Sequence, residues 1–194
     1  MNILEEIHDK TKKSDTGFCL HYHFLYALVL GLECKSVFEF GSGFSTHCIL
    51  KALSETGGTL ISCDVNTIER NGNITEYSQN SKNWRLVVGN SNLTVPMINH
   101  KQYDLILHDG SHIASEVLID LKNIYPYLKH DGILVTHDTR HPNLGNDMMG
   151  AVNTFAKDKN IEMLTLPYGY GLTLLRNREN KENKVNLTWR KKWK

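Results

Sequence analysis

From residue 36 onward, short apolar runs ending near glycine or aspartate alternate with longer stretches that mix polar and apolar residues. No other feature of the chain constrains its fold as much. SVFEF (36–40), TLISCD (59–64), WRLVVG (84–89), YDLILHDG (103–110) and GILVTHD (132–138) read as buried strands, being β-favouring and bounded by turn residues. Between them, STHCILKALSE stops at Gly57-Gly58, and SEVLIDLKNIYPYLKHDG carries apolar residues at 117, 118, 121, 124, 125 and 128. Both have the spacing of amphipathic helices, and Pro126 is expected to end or kink the second near Ile124. Residues 68–83 are polar and helical at best. Strand–helix alternation of this length predicts a doubly wound, mostly parallel α/β sheet. After a helix in MMGAVNTFAKDKN, the segment IEMLTLPYGYGLTLLRN reads as two strands joined by a turn, so one strand must run antiparallel.

A chain of 194 residues holds one such domain, and 40% hydrophobic with 22% charged residues excludes wholesale disorder. The net charge of +1 gives no global reason to expect nucleic acid. That balance is uneven, because residues 176–194 carry eight Lys/Arg and two Asp/Glu, a local +6 that leaves −5 for the rest. No apolar stretch reaches the ~20 residues of a membrane span, and the first residues lack the basic-then-apolar order of a secretory signal. Cys19, Cys34, Cys48 and Cys63 have neither CxxC nor zinc-ligand spacing and read as free buried thiols. A cytoplasmic protein is expected on these grounds.

The first strand ends in Glu39-Phe40-Gly41-Ser42-Gly43-Phe44-Ser45-Thr46. The glycines allow a tight turn and close approach of a ligand, and the helix that follows points unpaired N–H groups at the same space. Asp64 ends the second strand, where a carboxylate can accept both hydroxyls of a ribose. A simple turn and a helix cap are the plainer readings of the glycines and of Asp64. Dinucleotide sites usually carry a third glycine where this chain has Thr46, whereas an S-adenosylmethionine site favours an acidic residue such as Glu39 before the turn.

The run VFEFGSGFST, the strand-end Asp64 and the terminal strand pair resemble class I S-adenosylmethionine-dependent methyltransferases. YDLILHDGSH followed by LKHDGILVTHDT is similar, more narrowly, to a DGSH/HDT subgroup of O-methyltransferases that includes antibiotic-tailoring enzymes. The resemblance spans roughly residues 36–175 and implies a seven-stranded, Rossmann-like sheet with an antiparallel C-terminal strand. It places Glu39, Gly41, Ser42, Gly43 and Ser45 around the methionine part of S-adenosylmethionine, Asp64 at the ribose, and Asn90 and Ser91 near the adenine. Three parts follow: an N-terminal helical segment covering the site (1–35), the methyltransferase domain (36–176) and a basic mobile tail (177–194).

Asp109 and Asp138 end the fourth and fifth strands, so their backbones are expected about 5 Å apart or one strand further. Two converging carboxylates need positive charge between them, and a Mg²⁺-like ion supplies it. His112, three residues beyond Asp109, is placed to take a proton from an acceptor hydroxyl. The resemblance agrees, since relatives with this signature use the aspartates as metal ligands and the DGSH histidine as a proposed base. His137 stands where the metal-binding relatives can have an acidic residue, and Thr139 where catechol-type enzymes have an amide. Asp109 serving only the cofactor, Asp138 capping a loop and His112 orienting substrate stay open as alternatives. His108 and His137 read as packed strand-end residues; His21 and His23, flanking Tyr22, read as substrate contacts. Tyr168 and Tyr170 in the last turn either pack or rim a pocket.

The expected function is therefore methyl transfer to an oxygen of a small-molecule acceptor, with no membrane and no nucleic acid as partner. The sequence leaves the oligomeric state open, a homodimer included. A nucleic-acid-binding protein working through Arg190, Lys191, Lys192, Trp193 and Lys194, and a nicotinamide-dependent oxidoreductase, are the alternatives.

Overall fold

A computed structural model describes residues 2–13, 17–143 and 147–178. The residues proposed as a nucleic-acid-binding tail lie outside the described residues. Two helices, α1 (Ile3–Lys13) and α2 (Tyr22–Gly31), flank a 3₁₀ turn (Gly17–His21) and precede the sheet. Then follow β1 (Ser36–Phe40), α3 (Phe44–Thr56), β2 (Thr59–Asp64), α4 (Glu76–Gln79), β3 (Trp84–Val88), α5 (Ser91–Thr94) and β4 (Tyr103–His108). The chain continues through α6 (Ala114–Ile124), β5 (Leu128–His137), α7 (Asp147–Ala156), β6 (Ile161–Leu166) and β7 (Leu172–Asn177). The strands form one seven-stranded sheet in the order β3-β2-β1-β4-β5-β7-β6. β7 runs antiparallel to both β5 and β6, and the other pairings are parallel.

Strand alternation divides the core in two. Val37 and Leu105 face α2 and α3, where Leu25, Val29, Ile49 and Leu53 pack. Phe38, Phe40 and Ile106 face the other way, against Val117, Leu121 and Ile124 of α6 and Val152 and Phe155 of α7. Burying each such side chain is worth about 1.5–3 kcal/mol. α3 stops where expected, because Gly57 takes a left-handed φ of 76° and its N–H closes the last turn on the Leu53 carbonyl. α6 ends at Ile124, and Pro126, which has no N–H, falls in a 3₁₀ turn (Tyr125–Tyr127).

Two boundaries differ from expectation. β5 begins at Leu128 rather than Gly132, with an irregularity between the Tyr103–Leu128 and Leu105–Ile133 pairs. The polar Lys129-His130-Asp131 segment has no strand-like pattern, and Asp131 adopts a left-handed φ of 61° there. At the other end, Asn177 belongs to β7: its carboxamide is buried and donates to the Leu128 and Lys129 carbonyls. Arg178 is tied down as well, its amide donating to the Asn160 carbonyl at 2.9 Å and its guanidinium to Asp131 at 2.8 Å. No helix among the described residues is long and apolar enough to cross a membrane.

Candidate active site

The order of the sheet reverses between β1 and β4, and the connections leaving these two strands part in opposite directions. In open α/β sheets, ligands bind in the crevice this creates at the carboxyl ends. Gly41 sits there with a φ of 82°, and a Cβ on it would run into the Asp109 carbonyl oxygen. Glycine is thus required at 41 chiefly so that the ends of β1 and β4 can meet. Gly43 is extended and lines the opening without such a constraint.

One cleft, of about 450 Å³, lies over β1, β2 and β3, and Gly41, Asp64, Asn71, Asn90, Ser91 and Asp109 contribute to its wall. Asp64 Oδ2 accepts from Ser42 Oγ at 2.7 Å and Oδ1 from the Asn66 amide at 2.8 Å. Two oxygens offer about four acceptor positions, so capacity remains for the hydroxyls of a sugar. Asn71, which the sequence reading passed over, donates to the Ser42 carbonyl at 2.8 Å and reaches Asp64 at 3.4 Å. Asn90 caps α5, its side chain accepting from the Asn92 amide. Ser91 Oγ donates to the wholly buried Asp120, which also takes Asn92 Nδ2 and sits 3.2 Å from His108.

Glu39 lies beneath the glycine turn. It is fully buried and lines neither of the two clefts at the mouth. Ser45 and Thr46 of α3 and Ser62 of β2 all donate to its carboxylate, at 2.6–2.7 Å, and Trp84 Nε1 donates in turn to Ser62. Burial pushes its pKa up to about 7 against the lowering effect of those three hydroxyls. Its contribution to the site is to hold the turn and the start of α3, Ser45 included, from below. The reason lies in strand alternation, which turns residue 39 into the layer between sheet and α3.

The second cleft, of about 360 Å³, opens over β4 and β5 and is walled by Phe18, Tyr22, His112, His137, Asp138 and Tyr170, with Lys10 at its edge. It shares Ser42, Asn73 and Asp109 with the first. Asp109 and Asp138 indeed end neighbouring strands. One donor atom from each of Asp109, His137 and Asp138 lies within 4.8 Å of the others. His137 Nδ1 is 3.0 Å from Asp109 Oδ1 and 3.3 Å from Asp138 Oδ1, while His137 Nε2 donates to the Gly169 carbonyl at 2.9 Å. Successive strand residues normally face opposite ways, but Asp138 takes a left-handed φ of 59° and so turns beside His137. Asp138 is 4% exposed, and its Oδ1 has no hydrogen-bond partner. The donor set and this orphaned oxygen fit a bound cation.

Burial would lower the pKa of His137, but Asp109 and Asp138 outweigh it and raise it to about 10. Asp138 is held well below the carboxylate range, its burial overcome by His112 and His137. His112 lies in the loop before α6, half exposed, with Nε2 2.7 Å from Asp138 Oδ2. That hydrogen bond raises its pKa against the effect of partial burial.

His21 and His23 depart from the expected acceptor contacts. His23 is exposed, and His21 is fully buried behind the cleft, 3.1 Å from the Gly169 carbonyl. Tyr22 between them reaches the wall instead, with Phe18. Tyr170 rims the cleft against His141, and Tyr168 lies against His21. Thr139 is turned away, accepting from Thr173 of β7. His137, read as a packed strand end, is buried but belongs to the cluster. All four cysteines are buried.

Comparison with known proteins agrees with this fold. The structure is similar to the SAH-bound methyltransferase PaMTH1 of Podospora anserina, with 18% identity and a TM-score of 0.72, over 92% of this chain and 89% of that one. A methyltransferase from Geobacter sulfurreducens matches at 13% identity and a TM-score of 0.63, over 91% and 89%. The MycE methyltransferase of the mycinamycin biosynthetic pathway, in complex with Mg, SAH and mycinamycin VI, matches at 16% and 0.58; 86% of this chain is covered but only 51% of MycE. No curated protein matches by sequence. A family model described as a methyltransferase domain matches residues 38–139, which include the glycine turn, Asp64 and both strand-end aspartates. The chain belongs to this methyltransferase family.

Proposed function

We propose that this methyltransferase moves the methyl group of S-adenosylmethionine to a hydroxyl oxygen of a small acceptor. One observation carries the reading: a polar cleft suited to a nucleoside and a cleft lined by an acid–base cluster meet at Asp109. Asp64 offers a carboxylate to the ribose hydroxyls, Asn90 and Ser91 bound the adenine end, and the start of α3 offers its free amides to the carboxylate of the methionine part. Family membership replaces the nicotinamide alternative.

Methyl transfer to oxygen needs an in-line approach of nucleophile, methyl carbon and sulfur, so positioning supplies much of the rate. Phe18, Tyr22 and Phe44 exclude water from one side of the second cleft. His112 faces it, oriented by Asp138, and is placed to take the proton of the acceptor hydroxyl. Asp109 and Asp138 are the residues to hold a divalent cation, which supplies charge that lowers the pKa of a bound hydroxyl. The metal-bound and acceptor-bound state of MycE is a precedent for that protein alone. Calorimetric titration with S-adenosylmethionine and SAH tests the reading first. Binding of both is expected, and folded protein that takes up neither ends it.

A further inference from the structure

We infer that His137 is the third protein ligand of the cation held by Asp109 and Asp138, and that this nitrogen makes the site select a borderline first-row transition ion over Mg²⁺. The inference deepens the proposed function and rests on it for the purpose of the cation, while the ligand set stands on geometry alone. His137 Nε2 donates to the Gly169 carbonyl at 2.9 Å, and this fixes the ring so that Nδ1 is directed toward Asp109 Oδ1 and Asp138 Oδ1. A hydrogen bond from the far nitrogen to a backbone carbonyl is how ligating imidazoles are usually held. The second pointer to a ligand is Asp138 Oδ1, buried, without a hydrogen-bond partner and 3.3 Å from the same nitrogen.

The turn that supplies the carbonyl is itself built for the purpose. Gly169, Tyr170 and Gly171 all take left-handed φ values, 58°, 65° and 86°, which turns the Gly169 carbonyl inward to meet both His137 and His21. The ring of His137 is further held edge-on by Phe18 at 4.7 Å and His21 at 5.5 Å. A ligand so fixed cannot easily withdraw in favour of water. Mg²⁺ prefers oxygen donors and keeps several waters, whereas imidazole suits Fe²⁺, Ni²⁺, Cu²⁺ and Zn²⁺, and affinity rises from Mn²⁺ through Co²⁺ to Cu²⁺ before falling at Zn²⁺. All three residues line the acceptor cleft, so further coordination positions open toward substrate.

The test uses the whole chain loaded with Mg²⁺, Mn²⁺ or Co²⁺ in turn, and measures binding as well as ligation. Co²⁺ is expected to bind at least about 100-fold more tightly than Mg²⁺, and His137→Asp is expected to narrow that ratio at least about tenfold. Pulsed electron paramagnetic resonance of the Mn²⁺ form is expected to show a directly bound nitrogen. Its coupling should change to that of ¹⁵N in unaltered protein labelled with ¹⁵N-histidine, so the result does not depend on a variant folding. The nitrogen should persist in His112→Ala, which separates the two histidines. Mg²⁺ affinity within tenfold of Co²⁺, a Mn²⁺ spectrum without bound nitrogen, or a signal lost in His112→Ala would each overturn the inference. An SAH titration of the same sample keeps the two readings apart: SAH binding without any metal binding sinks the ligand set alone. A nitrogen-ligated ion in protein that ignores SAH supports the ligand set and sinks methyl transfer.

Discussion

The two clefts share Asp109 but are built on opposite electrostatic plans. Over β1, β2 and β3 the carboxylates are met mainly by neutral donors: Glu39 by three hydroxyls, the half-buried Asp64 by Ser42 and a backbone amide, and Asp120 by Ser91 and Asn92, with His108 at 3.2 Å as an ionisable neighbour. Over β4 and β5, charged groups face charged groups, and an Asp138 oxygen is left without a hydrogen bond. A fully satisfied network is rigid and suits holding one ligand in one pose. A cluster of coupled charges costs more to assemble and responds to a change of charge nearby, which is what stabilising a reacting oxygen requires. Under the proposed function this contrast is a division of labour, with binding on one side of the switch point and chemistry on the other.

The division breaks first at Asp138. Asp138→Asn keeps the shape of the side chain but removes the charge that orients His112 and completes the cluster. Turnover should fall about 10²–10⁴-fold, the usual worth of a positioned acid–base group. SAH affinity, measured by calorimetry, should stay within about threefold. Donor affinity falling in step with turnover would show that the two halves are one site.

The next effect is on stability and tests the other half. Glu39 has a pKa of about 7 in the folded chain against an ordinary value of 4.5. Because the folded value is the higher one, the stability it contributes is fully present below pH 4.5 and is lost as pH rises through 7. Relative to Glu39→Gln, which has no proton to lose, the wild type should therefore weaken by about 3 kcal/mol between pH 4.5 and 8. Denaturant unfolding of both proteins across that range reads the difference, and parallel curves would place the charge of Glu39 in a far better solvated setting. A smaller effect belongs to Asp64→Ala, which removes the carboxylate proposed to meet the sugar. SAH affinity should drop about 10–100-fold, as for a lost hydrogen bond to a charged group, with turnover at saturating donor within about threefold. Unchanged SAH affinity would move the ribose elsewhere.

These residues were not equally legible beforehand. Asp64, Asp109 and Asp138 stand at the ends of apolar runs, and β-periodicity with the crossover rule is enough to bring them to one edge. The start of β5 was not legible, since Lys129-His130-Asp131 is polar and its pairing is irregular. Glu39 reads as a ligand contact because an acid before the glycine turn suits an S-adenosylmethionine site, whereas its side chain shares the face of Val37, in the layer under α3. His137 reads as a packed strand end for a related reason. Alternation sets it opposite Asp138, and only the left-handed backbone at Asp138, not visible in an Asp-Thr pair, brings the two together. Asn71 and Tyr22 reach the clefts through tertiary packing of a polar loop and an N-terminal helix, for which no local pattern exists.

The smallest effect concerns how the second cleft is closed from outside. His47 of α3 is buried and joins three segments: Nε2 to Glu6 of α1 at 2.6 Å, Nδ1 to Thr75 at 2.8 Å, and its ring stacked on Phe44 at 5.0 Å. Burial lowers its pKa despite Glu6, so near neutral pH the contact is a hydrogen bond from a largely uncharged imidazole to a carboxylate. Lys51 adds a long contact to Glu6, at 3.4 Å. The same helix carries Lys10 to the cleft edge, above the Phe44 ring, while the wholly buried Ile7 anchors it. Because Ile7 anchors α1 whatever its charges do, Glu6→Gln should cost no more than about 1 kcal/mol of stability. Its signature should appear as a two- to threefold rise in the acceptor KM, with kcat and SAH affinity unchanged. A fall in SAH affinity instead would mean that α1 braces the nucleoside half through α3, and the boundary between the two plans would then lie at His47 rather than at Asp109.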